Sequence, residues 1–452
     1  MALLAYRGRE PVLLAVGLIA VIFSGLYVAT GTVHQAWQNL VDGATSPGFA
    51  DVRTITHSID CLLSGHDPYI AAACDPWGRL YNYPSIWLHL GVLGISSAFT
   101  NVIGLSLIIV TIISLLFLFH TQTVVSGVIV FCALCSPPIL FAVERGNTDL
   151  VIFSTLVISC TLLSMCGHRT RDLVMSGIII SLTILKIYPV AASSIFAWKR
   201  KGYVYSIIVA SLAIAALFFT AGLHELKIIA ENTPQYTCFS YGGLRAFLGV
   251  ANAWIHPTED KVGSFAFDLS AGLVKAGPLP LLTDHLRLVS FALTVAVALA
   301  AIYYSLRVST FIFYFAPALD STSAHGTIAI SCLSIFCFTF MLGSNIDYRL
   351  VFLLGVLSAV LRVYDVKRRW SLLIVPGTIV MFFWLSRLST GLLPFLLYEL
   401  LDWMLFAGGV AWLAVSLDKR CLVSVKPRIV APRRDQIRES SQHYRISNYP
   451  ST

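Results

Sequence analysis

Apolar runs long enough to cross a lipid bilayer recur along the chain, separated by short polar turns. A helix needs ~20 predominantly apolar residues to span hydrocarbon, and runs of about that kind lie near residues 11–30, 102–119, 124–141, 149–166, 203–223, 286–306, 327–343, 348–364, 371–387 and 391–416. The run at 173–198 is interrupted by "LKIYP", where Lys186 and Pro189 break a continuous helix, so it reads as a hairpin of two short spans. The stretch 84–100 reads as interfacial or re-entrant. Twelve spans follow. The N-terminal "YRGRE" and the run after it look superficially like a signal peptide, but the run is long and lacks a clear small-residue cleavage site, so it reads as a retained first span.

Basic residues in short loops orient such a chain. Arg7 and Arg9, Arg169 and Arg171, Lys199 to Lys201, Arg307, Lys367 to Arg369, and Lys419 and Arg420 all fall on one side when the termini are cytoplasmic. The opposite face then receives the loops 32–82 and 224–285 and the turns "ERGNTD", "LKIYP" and "NIDYR". Composition agrees with the class. Hydrophobic residues make up 57% of the 452 and charged residues only 12%, with mean hydropathy +0.79, against about a quarter charged in soluble domains. The formal net charge is +8, and residues 418–452 hold eight Lys or Arg against three acids. The segment 417–452 therefore reads as a basic, disordered cytoplasmic tail facing an anionic leaflet, with no module for nucleic acid. Of ten cysteines, Cys132, Cys135, Cys160, Cys166, Cys332 and Cys337 sit in apolar segments as packing residues; Cys132 and Cys135 form a CxxC, but with no second pair and no nearby His it reads as packing rather than metal. Cys61 and Cys74 lie in a polar loop and have the option of a disulfide if that loop faces an oxidising compartment.

Charges placed among apolar flanks carry the chemical information, because a charge at the bilayer centre costs at least ~2.5 kcal/mol. "FAVERGNTDLVIF" (141–153) sets Glu144, Arg145 and Asp149 at a turn, where Asp149 suits a helix cap and Glu144 and Arg145 suit a mutual pair. "LKIYP" puts Lys186 at a helix break, where it must snorkel or meet an anion, and a phosphate is a natural partner. "SNIDYRLVF" repeats the theme with Asp347 and Arg349, an arginine suiting bidentate phosphate contact and Tyr348 adding a hydroxyl. In the first loop Asp51 precedes Ile55, Ile59, Leu62 and Leu63 at helical spacing, and "GHDPY" and "YNYPS" follow. Asp51 is either a helix cap or a reactive carboxylate. Tyr81 and Tyr83 are either an aromatic belt or the lining of a sugar site.

Taken in order, the early aspartate, "GHDPY", "YNYP", "RGNTD", "LKIYP" and "NIDYR" resemble glycosyltransferase family 87 of the GT-C superfamily, which contains polyprenyl-phosphate-mannose-dependent mannosyltransferases. Departures are Ser85, where the pattern has a second proline, and Asn147, where many relatives carry glutamine. The resemblance implies an all-α polytopic membrane protein with a GT-C-like fold, about 12 transmembrane helices, extracytoplasmic loops and juxtamembrane helices, in a domain of residues 1–416 in a bacterial plasma membrane. It implies transfer of a monosaccharide, mannose first, from a polyprenyl-phosphate sugar to a glycolipid or glycan at the extracytoplasmic face, with inversion, no cofactor and no metal. It assigns the general base to Asp51. Lys186, Arg349 and Arg145 become candidates for the donor phosphate, and Glu144, Asn147, Asp149, Tyr188, Asn345, Asp347, Tyr348, Tyr81 and Tyr83 shape the pocket. Two other classes share features of the chain. A transporter or flippase would place its charges near the midplane on both access routes, and a polysaccharide polymerase or ligase would use a large external loop such as 224–285, with "PQYTCFSYGGLRAF" as an acceptor or lid segment. His325 falls on the cytoplasmic side of this topology, outside the site.

Overall fold

The computed structural model describes residues 8–41, 44–197, 202–233, 240–247, 279–307, 318, 323–343, 345–388 and 392–417. Residues 1–417 form one compact unit. Beyond Leu417 the expected basic tail lies outside the described residues, as do Lys199 to Lys201 and most of the loop 224–285.

Helices dominate. They run as α1 (Glu10–Thr30), α2 (Val33–Leu40), α3 (Ala50–Leu63), α4 (Thr100–Leu118), α5 (Val124–Leu134), α6 (Pro137–Arg145), α7 (Thr148–Leu163), α8 (His168–Leu185), α9 (Gly202–Asn232), α10 (Leu279–Arg307), α11 (Ala324–Leu342), α12 (Leu353–Lys367), α13 (Ile374–Leu388) and α14 (Leu392–Leu417). The two strands described are β1 (Ser240–Tyr241) and β2 (Asn345–Ile346), paired antiparallel with Tyr241 opposite Asn345.

Among the described residues six helices are long and apolar enough to cross a membrane: α1, α4, α9, α10, α11 and α14. A seventh span results if α5 and α6, bent by 48°, are one. The expectation of twelve thus exceeds what the long helices supply, and polar breaks are the reason. Helix α7 has 16 residues, and the run predicted at 348–364 opens as a 3-10 turn (Asp347–Phe352) before the 15-residue α12. At 173–198, α8 ends at Leu185 and a 3-10 helix (Tyr188–Phe196) follows, so the predicted break at "LKIYP" is present. The stretch 84–100 forms 3-10 helices at Ser85–Leu93 and Ser97–Phe99 rather than a spanning α-helix.

The centre of the unit is α11, 72% of whose spanning window is buried, against 11% for the peripheral α1. Its apolar residues on all sides are what a helix ringed by other helices requires. Local signals place the helix ends that matter for the site. Pro137 opens α6, and Gly146 closes it with φ +58°, a conformation that favours glycine. A Cβ there would also lie 2.9 Å from Val52 Cγ2, so α3 rests directly on the turn. Asn147 then caps α7, its side-chain oxygen accepting from the Asp149 amide at 2.7 Å.

The first loop folds onto this frame. Ile55 and Ile59 of α3 pack with Tyr81, Tyr83 and Leu88, while Leu62 and Leu63 are exposed. Asn232 at the end of α9 donates to the carbonyls of Tyr69 and Tyr81, both at 3.0 Å. Cys61 and Cys74 are disulfide-bonded, their Cα atoms 5.5 Å apart. Closing a loop of this size is worth about 3 kcal/mol in the chain-entropy account. Replacing both cysteines by serine is expected to lower the thermal midpoint of purified protein, and reductant should do the same to wild type but not to the variant; equal midpoints throughout would show that the bond constrains nothing.

Candidate active site

Five short sequence segments converge on one polar cluster. Asp51, the second residue of α3, is 4% exposed. One of its oxygens, Oδ1, accepts from Arg145 Nη2 at 2.6 Å and Nε at 3.1 Å; the other, Oδ2, accepts from the Asn147 side-chain amide. The N-cap of α3 is Phe49 and no side chain caps there, so the simple capping reading of Asp51 does not hold. Arg79 approaches the same carboxylate at 3.8 Å while its guanidinium forks onto Asp75 at 2.9 and 3.1 Å. Asp75 also accepts from Thr54 at 2.8 Å.

Asp149 forms the second half. It is fully buried in the first turn of α7, and the cap role lies with Asn147 instead. Lys186 Nζ donates to its Oδ1 at 2.5 Å, the Tyr188 hydroxyl donates to the same oxygen, and Arg349 Nε stands 3.3 Å from Oδ2. Arg349 donates its Nη1 to the Asn345 side-chain oxygen and lies over the Tyr188 ring, 5.1 Å from its centroid. Lys186 lies 5.3 Å from the Tyr83 centroid. Tyr348 packs against Phe141, whose ring also carries the Arg145 guanidinium 5.3 Å from its centroid. Two cations therefore share one buried carboxylate, and each keeps a small exposed part, 11% of the Lys186 side chain and 21% of the Arg349 side chain. Such an arrangement leaves positive charge ready for an anion.

Some expected pairings are redistributed. Glu144 does not pair with Arg145: its Oε1 accepts from the amide and hydroxyl of Thr45 at 3.0 and 3.1 Å, because α6 directs the two neighbours to different faces. Tyr81 and Tyr83 are buried against α3 rather than arrayed as a belt. Asp347 is fully buried beside Tyr348 in the 3-10 turn. His325 lies in the first turn of α11, ~26 Å along the axis from the Leu342 end that leads to Asn345. Sequence reasoning did not single out Arg79 or Asp75; the five-residue "DPWGR" turn was the available signal.

Residues 75–237 match the sequence model of glycosyltransferase family 87. The chain resembles that family. The matched stretch contains "YNYP", "RGNTD" and "LKIYP", whereas Asp51 and "NIDYR" lie outside it and are joined to it by the geometry above. The match indicates a glycosyltransferase, and the apolar helices a membrane protein. No curated protein and no solved structure matches the chain.

Burial opposes ionisation of Asp51, but Arg145, then Arg79 and the Asn147 hydrogen bond, outweigh it and hold the carboxyl below its ordinary value. Asp75 is lowered likewise, burial being overcome by the Arg79 fork, the Trp77 amide and Thr54. A carboxyl with a lowered folded-state pKa adds stability that is complete above its unfolded value, 3.8, and is lost as pH falls through the folded one. Amide exchange of α3 should accordingly stay flat from neutral pH to about 4, after correction for intrinsic rates, and accelerate below it. Asp51→Asn should blunt that acceleration; an identical acid profile in the variant would remove Asp51 from the linkage.

Proposed function

We propose that the chain transfers a monosaccharide, mannose first among candidates, from a polyprenyl-phosphate donor to a glycolipid or glycan acceptor at the extracytoplasmic face of a bacterial plasma membrane. The carrying observation is that Asp51, bound through Asn147 to the turn bearing Asp149, shares one cluster with two largely buried cations on a single carboxylate. Transfer of a glycosyl group from a phosphate needs those two functions side by side: an oxygen base at the acceptor and cations at the leaving group. The apolar helices suit a lipid-borne donor, and our reading adds a GT-C-like fold of about twelve spans, the shorter apolar helices counted, with both termini cytoplasmic.

The step balances simply. The acceptor hydroxyl gives its proton to Asp51 as its oxygen bonds to C1, and the C1–O bond to phosphate breaks on the opposite side, releasing polyprenyl phosphate. One carboxylate at C1 yields inversion, unlike the paired carboxylates of a retaining scheme. Lys186 and Arg349, which share the Asp149 carboxylate, hold the phosphate. Arg145 controls the base. While it neutralises Asp51 the carboxylate is a poor base; drawn toward donor phosphate, it returns basicity to Asp51 as the substrate arrives. Asn147, Tyr188, Asn345, Asp347, Tyr348, Glu144, Tyr81 and Tyr83 shape the pocket. No resident cofactor or metal is required, since side-chain cations face the leaving group.

Loss of a general base typically costs 10² to 10⁴ in rate, so about that drop is expected for Asp51→Asn in purified protein given polyprenyl-phosphate mannose and a membrane glycolipid extract. The variant should stay folded and the wild type should keep its rate in chelator. Full activity of Asp51→Asn would remove the base assignment, and strict divalent dependence would remove the side-chain account of the phosphate.

A further inference from the structure

Outside the cluster the most unusual polar group is Arg245, 1% exposed in the short described part of the second external loop. It donates to Glu399, a 7%-exposed carboxylate in the second turn of α14, and its guanidinium lies over the rings of Phe395 and Tyr398 at 4.8 and 4.4 Å. Three residues earlier, the Gly242 amide donates to Asp402 of the same helix at 2.7 Å. Two bonds thus bolt "YGGLR" to α14, and both are made by ionisable residues within an apolar span, where such groups are expensive.

What the bolts hold is adjacent to the site. Tyr241 is stacked on Phe336 of α11 at 5.5 Å, donates or accepts at Thr339 Oγ1 at 2.7 Å, and pairs across β1–β2 with Asn345. Asn345 in turn receives Arg349 and donates to the Thr339 carbonyl at its other end. The two glycines permit this approach. Gly242 has φ +119° and a Cβ there would lie 2.0 Å from the Gly343 carbonyl oxygen, while one on Gly243 would meet Thr294 Oγ1 at 2.5 Å.

We propose that Arg245 is a positioning residue: with Glu399 and Asp402 it clamps residues 240–247 to α14 and, through the Tyr241–Asn345 strand pair, sets the guanidinium of Arg349 against Asp149. Residues 240–247 are thereby mechanically linked to the phosphate end of the site, so an acceptor or donor that disturbs them shifts Arg349. The clamp stands on geometry alone; its catalytic consequence rests on the phosphate role proposed for Arg349.

The experiment compares wild type, Arg245→Ala, Arg245→Lys and Glu399→Gln by amide exchange and by steady-state transfer from polyprenyl-phosphate mannose. In Arg245→Ala, exchange at residues 241 and 345–346 is expected to rise about tenfold or more while α4 and the core of α11 keep their protection. Donor KM should rise about tenfold with kcat changed far less, the signature of a misplaced binding group, and Arg245→Lys should recover much of both. Glu399→Gln, milder in volume, should show the same pattern if Arg245→Ala fails to fold. Unchanged exchange at 345–346, or an increase shared equally by α4 and α11, would overturn the clamp. Altered exchange with unchanged KM would overturn its link to Arg349. If wild type does not use this donor, the exchange result still decides the clamp, and it is the donor assignment that falls.

Discussion

The site depends on the side chain of Asn147. Its oxygen accepts the Asp149 amide and so starts α7, while its nitrogen donates to Asp51 of α3. One amide therefore fixes a helix terminus and joins the two carboxylates around which every cation of the cluster is arranged. Because Asn147 is fully buried, neither bond has water to replace it, and a buried donor left unmet costs about 1–3 kcal/mol. Gly146 makes the junction possible by turning the chain in the left-handed region directly beneath Val52 and Phe49.

Around that junction the charges are held by mutual pairing. Asp51 with Arg145 and Asp149 with Lys186 and Arg349 are largely buried ion pairs, and removing one partner of such a pair commonly costs about 3–5 kcal/mol because the other charge is stranded. The protein maintains this expensive cluster between helices whose surfaces are otherwise apolar. Expense of that kind points to chemistry at the site rather than to stability, which an apolar packing would supply at less cost.

Much of the cluster was legible in the sequence because its residues interrupt apolar runs: "RGNTD", "LKIYP" and "NIDYR" each break a helix, and the structure brings all three together with Asp51. Their partners were not legible. Sequence spacing suggested Glu144 for Arg145, yet helical geometry separates neighbours in sequence and gives Arg145 to Asp51, 94 residues away. Arg79 sits in an ordinary-looking turn, and only the fold shows that it forks onto Asp75 near Asp51. Glu399 and Asp402 were not singled out within the run 391–416, and their partners, Arg245 and the Gly242 amide, come from more than 150 positions earlier. Hydropathy likewise located the apolar runs but not how they divide: short helices and 3-10 turns at 148–163, 188–196 and 347–352 depend on packing around α11, which no window of sequence contains.

The central claim is that cations in a membrane-embedded cluster receive the phosphate of a lipid-borne sugar. The most direct measurement gives wild-type protein in lipid two labelled donors in parallel, polyprenyl-phosphate mannose and a nucleotide-linked mannose, with a membrane glycolipid extract and chelator. The account predicts label in product from the polyprenyl-phosphate donor and none from the nucleotide. Transfer from the nucleotide donor alone would contradict it.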